Sequence, residues 1–152
     1  MDELINAFVS LLTVGGIHAV AAMPGDLAPY LTGSAVAVEV RHMETAPKTY
    51  LGLYQGQEIY GSRTAAEVGL CVLSPAELGA GACRSAMDSV LEALAEGIPG
   101  ISLLSLTTEA PVYQNGCMEG LITLSCRCWL CEAPSQETDV NISQFLLKGA
   151  IG

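Results

Sequence analysis

The alternation of apolar and polar positions divides this chain into two helical stripes and a series of strands. Over residues 2–14, Leu4, Ile5, Phe8, Val9, Leu11 and Leu12 form a broad apolar face, and Gly15-Gly16 ends the run. A short amphipathic helix is predicted there. Residues 74–99 carry the fuller helix signature. Ser74 suits an N-cap, Pro75 fits the first helical position, and Glu77 completes a capping box. Cys83, Met87, Val90, Leu91 and Leu94 make the buried stripe, while Arg84, Asp88, Ser89, Glu92 and Glu96 fill the wet face. Gly97 supplies a C′ residue and Pro99 prevents continuation. Gly79 and Gly81 weaken the start, each costing about 1 kcal/mol relative to alanine, so that either the first turn is loosely attached or a neighbour passes close.

The remaining periodicity is that of strands. In A-V-A-V-E-V-R, Val36, Val38 and Val40 point one way, against Ala37, Glu39 and Arg41. Residues 50–55 (Y-L-G-L-Y-Q) and 65–73 are further strands, separated by a polar connection over 57–64 with Ile59 and Tyr60 as anchors. A short strand is expected within 17–23, then a turn at Pro24-Gly25-Asp26 and a loop over 27–32, and another turn over 44–48. After the long helix, 101–107 is a strand and 108–116 a connection holding Pro111 and the turn pair Asn115-Gly116. The best strand follows, with Ile122, Leu124, Cys126, Cys128 and Leu130 on one face and Thr123, Ser125, Arg127 and Trp129 on the other. Regular βα alternation is absent. The expected class is α+β: a mainly antiparallel sheet with one long and one short packed helix. Residues 1–131 form the domain; 132–152 read as a linker and a C-terminal interaction arm, whose Phe145, Leu146, Leu147 and Ile151 need a surface to cover them.

Composition narrows the function classes. The 152 residues suit one core, and 51% hydrophobic content excludes disorder. Only 14% are charged, against roughly 25% in ordinary soluble domains, so partners are expected to cover part of the surface. Sixteen acids against six scattered bases give a net charge of -10, which disfavours sequence-specific nucleic-acid binding. No uninterrupted apolar run reaches the roughly 18 residues of a membrane span, and the opening M-D-E lacks the positive charge of a secretion signal. The expected setting is cytoplasmic or within a soluble assembly. The six cysteines then read as reduced, small hydrophobes.

Candidate chemistry is thin. Cys128-x-x-Cys131 has zinc-like spacing once, but no second pair or nearby histidine completes four ligands, and in a strand the two point to opposite faces. A redox pair belongs at a helix N-terminus, which this is not. His42 between Glu39 and Glu44 offers an acid/base pair in principle, whereas His18 follows an apolar run. Asp88, Glu92 and Glu96 are paired carboxylates on an outer helix face. Phosphate-binding glycine motifs, H-E-x-x-H and G-x-S-x-G are missing. No catalytic, cofactor-binding or metal residue is assigned. Trp129 is a candidate subunit-interface anchor, together with Phe145, Leu146, Leu147 and Ile151.

The N-terminal helix, V-A-V-E-V at 36–40, Y-L-G-L-Y at 50–54, E-V-G-L-C-V-L at 67–73 leading into the long helix, and P-V-Y-Q-N-G-C-M-E-G-L-I-T-L-S-C at 111–126 resemble one family. In these runs, over most of residues 1–131, the chain resembles the tail terminator and head–tail joining (minor capsid) proteins of phages and prophages of Gram-positive bacteria. The resemblance implies a small α+β fold, a homo-oligomeric ring, usually a hexamer, and a place at the neck of a virion assembled in the host cytoplasm. The implied partners are a tail tube or sheath protein and the head–tail connector, with no membrane, cofactor or catalytic residue. Two alternatives stay open: an adaptor or tube component of a phage-derived contractile injection particle, and a small cytoplasmic enzyme with an unrecognised site.

Overall fold

A computed structural model describes residues 2–132 and the backbone of residues 145–147. Its elements are α1 (Asp2–Val14), β1 (Ala19–Val20), α2 (Pro24–Leu27), β2 (Ala35–Thr45), β3 (Thr49–Tyr54), β4 (Gln57–Pro75), α3 (Gly79–Glu96), β5 (Ile101–Gln114), β6 (Cys117–Glu132) and β7 (Phe145–Leu147). Short 3-10 turns at Ala28–Tyr30 and Ala76–Leu78 follow α2 and precede α3. The longest period-two stretches dominate the architecture. β4 and β6 pair antiparallel from Gly61 opposite Cys131 to Pro75 opposite Cys117, with no slip in register. Around them the sheet runs β1-β2-β4-β6-β5, with β3 on β4 and β7 on β6.

The unbroken register of β4 and β6 puts their alternate side chains on a common face, which β2 extends up to Val40. Val36 and Val38 of β2, Val68, Leu70 and Val72 of β4, and Ile122, Leu124, Cys126 and Cys128 of β6 lie under the helices. Leu4, Phe8 and Leu12 of α1 and Cys83, Met87, Val90 and Leu94 of α3 complete this core. The stripes predicted for both helices are the buried ones. Each fully buried Leu, Val or Phe contributes about 1.5–3 kcal/mol relative to exposure. The other sheet face carries a smaller cluster, Ala37, Cys71, Leu73 and Cys117, roofed by Leu27, Ala28 and Leu31.

The expected mainly antiparallel sheet with one long and one short helix is overturned. β1 lies parallel to β2, Ala19 opposite Val36, so the sheet is mixed, and α2 is a third α-helix among the described residues. The reason lies in residues 24–32, taken as a turn and a loop. Parallel neighbours need a crossover, and α2, with Pro24 near its start, plus the following 3-10 turn supply it.

The start of the long helix also differs. Ser74 and Pro75 stay in the ladder opposite Met118 and Cys117, and the Ser74 hydroxyl is 2.6 Å from that of Ser34. Helix α3 begins only at Gly79 (φ +79°), without a side-chain cap, because β pairing has claimed the cap residue. Its other end follows expectation: Gly97 takes φ +77° and its N–H bonds the Leu94 carbonyl at 3.0 Å.

Residues 57–64 and 108–114, assumed connections, are strand, and the turn expected over 44–48 shortens to 46–48. Residues 57–64 are the first part of β4, joined to β3 by Gln55 and Gly56, both at positive φ. β2 continues to Thr45, past an irregularity between Val40 and His42. β5 runs through Pro111 to the Asn115-Gly116 turn, the proline sitting at a register shift between Glu109 and Val112. The expected linker over 133–141 lies outside the described residues.

Helix α3 reaches β6 over a glycine. A Cβ added at Gly120 would collide with the Met87 side chain, so this glycine sets how closely helix and sheet approach. Gly120→Ala is expected to lower stability by about 1–3 kcal/mol. Its cost in a Met87→Ala background should be smaller, as chemical-denaturation midpoints of the four members of the cycle would register.

Candidate functional site

The face of the sheet opposite α1 and α3 holds a polar concavity. Alternation on β2 brings Glu39 and Arg41 to this face, β4 brings Cys71, β6 brings Glu119 and Leu121, and β5 adds Glu109 and Val112. Met23, Pro24 and Gly25, at the start of the crossover, form one wall of a cleft of about 430 Å³. Arg41 lies across Gly69, where a side chain would meet its Nε, and its Nε–H donates to Glu39 Oε1 at 3.0 Å. Asn115 Nδ2 donates to Glu119 Oε2 at 2.7 Å, and the Cys71 thiol donates to Glu119 Oε1 at 3.4 Å. The turn residue Asn115 therefore holds the carboxylate against the thiol.

Charge and burial decide what this arrangement can do. Desolvation, then the negative charge of Glu119, pushes the Cys71 thiol far above its ordinary range. A nucleophilic cysteine needs the opposite shift. Neither histidine lines the cleft. His18 lies in a groove of about 380 Å³ walled by small residues of α3, among them Ala82, Ser85, Ala86 and Ser89. His42 Nε2 is 3.2 Å from Glu44 Oε1, but both side chains are well exposed, at 65% and 77%. They border a shallow depression of about 330 Å³ with Glu67 and Ser125. Asp88, Glu92 and Glu96 point to solvent from α3.

The cysteines are all free and buried. Cys128 belongs to the core beneath the helices, whereas Cys131 abuts Gly61. Among the described residues no group of three or more His, Cys, Asp or Glu is placed to hold a metal ion. Burial raises the thiols of Cys83, Cys117 and Cys128, and pushes Cys126 up to about 11.

Of the expected interface residues, Trp129 is half-buried on β6 opposite Arg63 of β4, whose guanidinium carbon lies 5.3 Å from the ring centre. Phe145, Leu146 and Leu147 contribute backbone to β7, paired with Glu132, Cys131 and Leu130 of the same chain. Ile151 lies outside the described residues. Sequence reasoning passed over a more conspicuous surface. Among the described residues β5 pairs on one side only, with β6, and exposes Leu103, Leu104, Leu106, Val112 and Tyr113. β3 pairs only with β4 and exposes Tyr50 and Leu53. The available signal was charge: β3 carries none, and β5 only Glu109. No helix among the described residues is long and apolar enough to cross a membrane.

No protein-family model and no curated protein sequence matches the chain.

A disulfide reagent at neutral pH is expected to leave the folded protein's cysteines unmodified and to titrate all six after denaturation. The raised thiols also give stability a pH dependence. Unfolded thiols ionise from about pH 9 while Cys126 holds its proton to about 11, so the unfolded state binds fewer protons in that window. Stability should therefore be full below pH 9 and fall as pH rises towards 11, as urea midpoints across that range would report.

Proposed function

We propose that this protein is a structural ring subunit that caps a phage tail tube and offers the head connector a docking surface. The observation that carries the reading is the pair of unlike, apolar edges that the described residues leave on one sheet. β5 on one side and β3 on the other are long or apolar and nearly uncharged. Edge strands of monomers are normally defended by charge, proline or covering segments, because bare backbone groups invite another strand. β5 has Pro111 and two register shifts, and β3 has one, between Tyr50 and Gly52, yet β3 carries no charge and neither do the eight consecutive residues from Ile101 to Thr108.

Contacts between unlike edges are heterologous: each copy offers a different surface to its two neighbours, and such contacts close into rings when the rotation per copy allows. The resemblance of the runs at 36–40, 50–54, 67–73 and 111–126 to tail terminator and minor capsid proteins supplies the finer terms of the proposal. These are a hexamer, a tail tube or sheath beneath it, a connector above it, and a location at the neck of a virion. Recognition is by shape, with no catalytic step and no cofactor. Phe145, Leu146 and Leu147 are assigned to the lateral contact, since β7 continues the line of β5 along the same side of β6; Trp129 is assigned there as an aromatic anchor, and the assignment of Ile151 rests on the sequence alone.

The purified full chain is expected to sediment as a closed oligomer across the micromolar range and to appear as rings with a central opening by electron microscopy. A monomer at every concentration sinks the ring. Co-expression with the tube subunit of the same particle tests the finer reading. Tubes should acquire a ring at one end and stop growing, whereas tubes of unchanged length with bare ends leave a ring protein that is not a terminator.

A further inference from the structure

We propose that copies join by pairing β3 of one subunit with β5 of the next, in an antiparallel ladder that continues the sheet across the interface. This rests on the ring-subunit reading and names the strands that make it.

Charge selects the edges. Each copy carries a net charge of -10, so surfaces that bring carboxylates together repel. The outer side of β2 is covered by β1 only at Val36 and Ala37, and beyond that the strand bears Glu39, Arg41, His42 and Glu44. That edge is guarded. Thr49–Tyr54 has no charged residue, and Ile101–Gln114 has one. Two copies can approach at these segments without stacking like charges, and both present apolar side chains there: Tyr50 and Leu53 on β3, Leu103, Leu104 and Leu106 on β5.

Strand direction agrees. β5 is antiparallel to β6, β6 to β4, and β4 to β3, so within one sheet β5 and β3 run in opposite senses. A neighbour placed head-to-tail in the same sheet orientation therefore sets its β3 antiparallel to β5, the more stable pairing. The two edges also sit at diagonal corners. β3 lies beside residues 57–61 of β4, whereas β5 lies beside the part of β6 that pairs with residues 64–75. Pairing them offsets each copy along the strand direction, and closing a sheet requires such a stagger with tilted strands.

Two blocked variants test the contact: Tyr50→Lys with Leu53→Lys, which retains β5, and Leu104→Lys with Leu106→Lys, which retains β3. All four positions are exposed, at 51%, 69%, 52% and 41%, so folding should persist, as circular dichroism and thermal unfolding would verify. Should either double variant fail to fold, Leu53→Lys or Leu106→Lys alone takes its place. Each variant is expected to sediment as a monomer where the unmodified chain forms rings. An equimolar mixture should form a one-to-one dimer and nothing larger, because one sound β3 meets one sound β5. A homodimer of the variant retaining β5 would overturn the proposal in favour of β5 against β5, and a homodimer of the other in favour of β3 against β3. A mixture that stays monomeric, or variants that still form rings, would likewise overturn it. These outcomes leave the ring intact, whereas failure of the unmodified chain to assemble removes the ring itself.

Discussion

The ladder between β4 and β6 is the constraint on which the rest of the molecule depends. Its register holds from Gly61 opposite Cys131 to Pro75 opposite Cys117, and a slip of one residue would turn every core side chain outward. Because it does not slip, Val68, Leu70, Val72, Ile122, Leu124 and Cys126 form one apolar floor on which α1 and α3 rest. The same ladder delivers Cys71 and Glu119 to the opposite face, where the thiol donates to the carboxylate. Core, cleft and edges are thus three consequences of a single register.

The long central strands also explain where the surface is left bare. β4 is flanked on one side by two strands in succession, β3 beside its first residues and β2 beside its later ones. β6 is flanked on its free side by β5 and then β7. The sheet therefore ends differently at each border. One border is built partly of β2, whose charges repel a strand; β3 carries no charge and β5 only Glu109. Net charge far from zero keeps faces apart, and the exposed leucines of β5 stand where that repulsion is weakest. The cleft opposite α1 and α3 has the opposite character, with Glu39, Glu109 and Glu119 against Arg41, and a thiol held protonated by burial.

Much of the fold was legible because periodicity reports burial directly. The stripe from Leu4 to Leu12 and that from Cys83 to Leu94 face the core, and the alternation from Ile122 to Leu130 divides β6 as expected. Punctuation was less faithful. Asn115-Gly116 was recognised as a turn, with φ +54° and +80°, but Gln55-Gly56 was not, although Gln55 takes φ +52°. Glutamine seldom adopts that conformation, so the hairpin of β3 and β4 was hidden and residues 57–64 were read as a connection. Pro111 was likewise taken to stop a strand, and it sits at an irregularity on an edge instead.

By itself the sequence determined which side chains are buried along α1, α3 and β6, since burial there follows local spacing, and it determined the charge imbalance that narrows the choice of partners. Only the tertiary structure decided the role of Ser74. Its cap chemistry is sound in isolation, but a continuous ladder through Met118 and Cys117 outcompetes one hydrogen bond at a helix start. Only the tertiary structure decided the parallel pairing of β1 with β2, because strand direction depends on the crossover through α2 and not on the two residues Ala19 and Val20. The candidate site follows the same division. Leucines at 103, 104 and 106 look like core residues when read locally. They are exposed because β5 is the last strand on its side, and position in a sheet is a property of the whole chain.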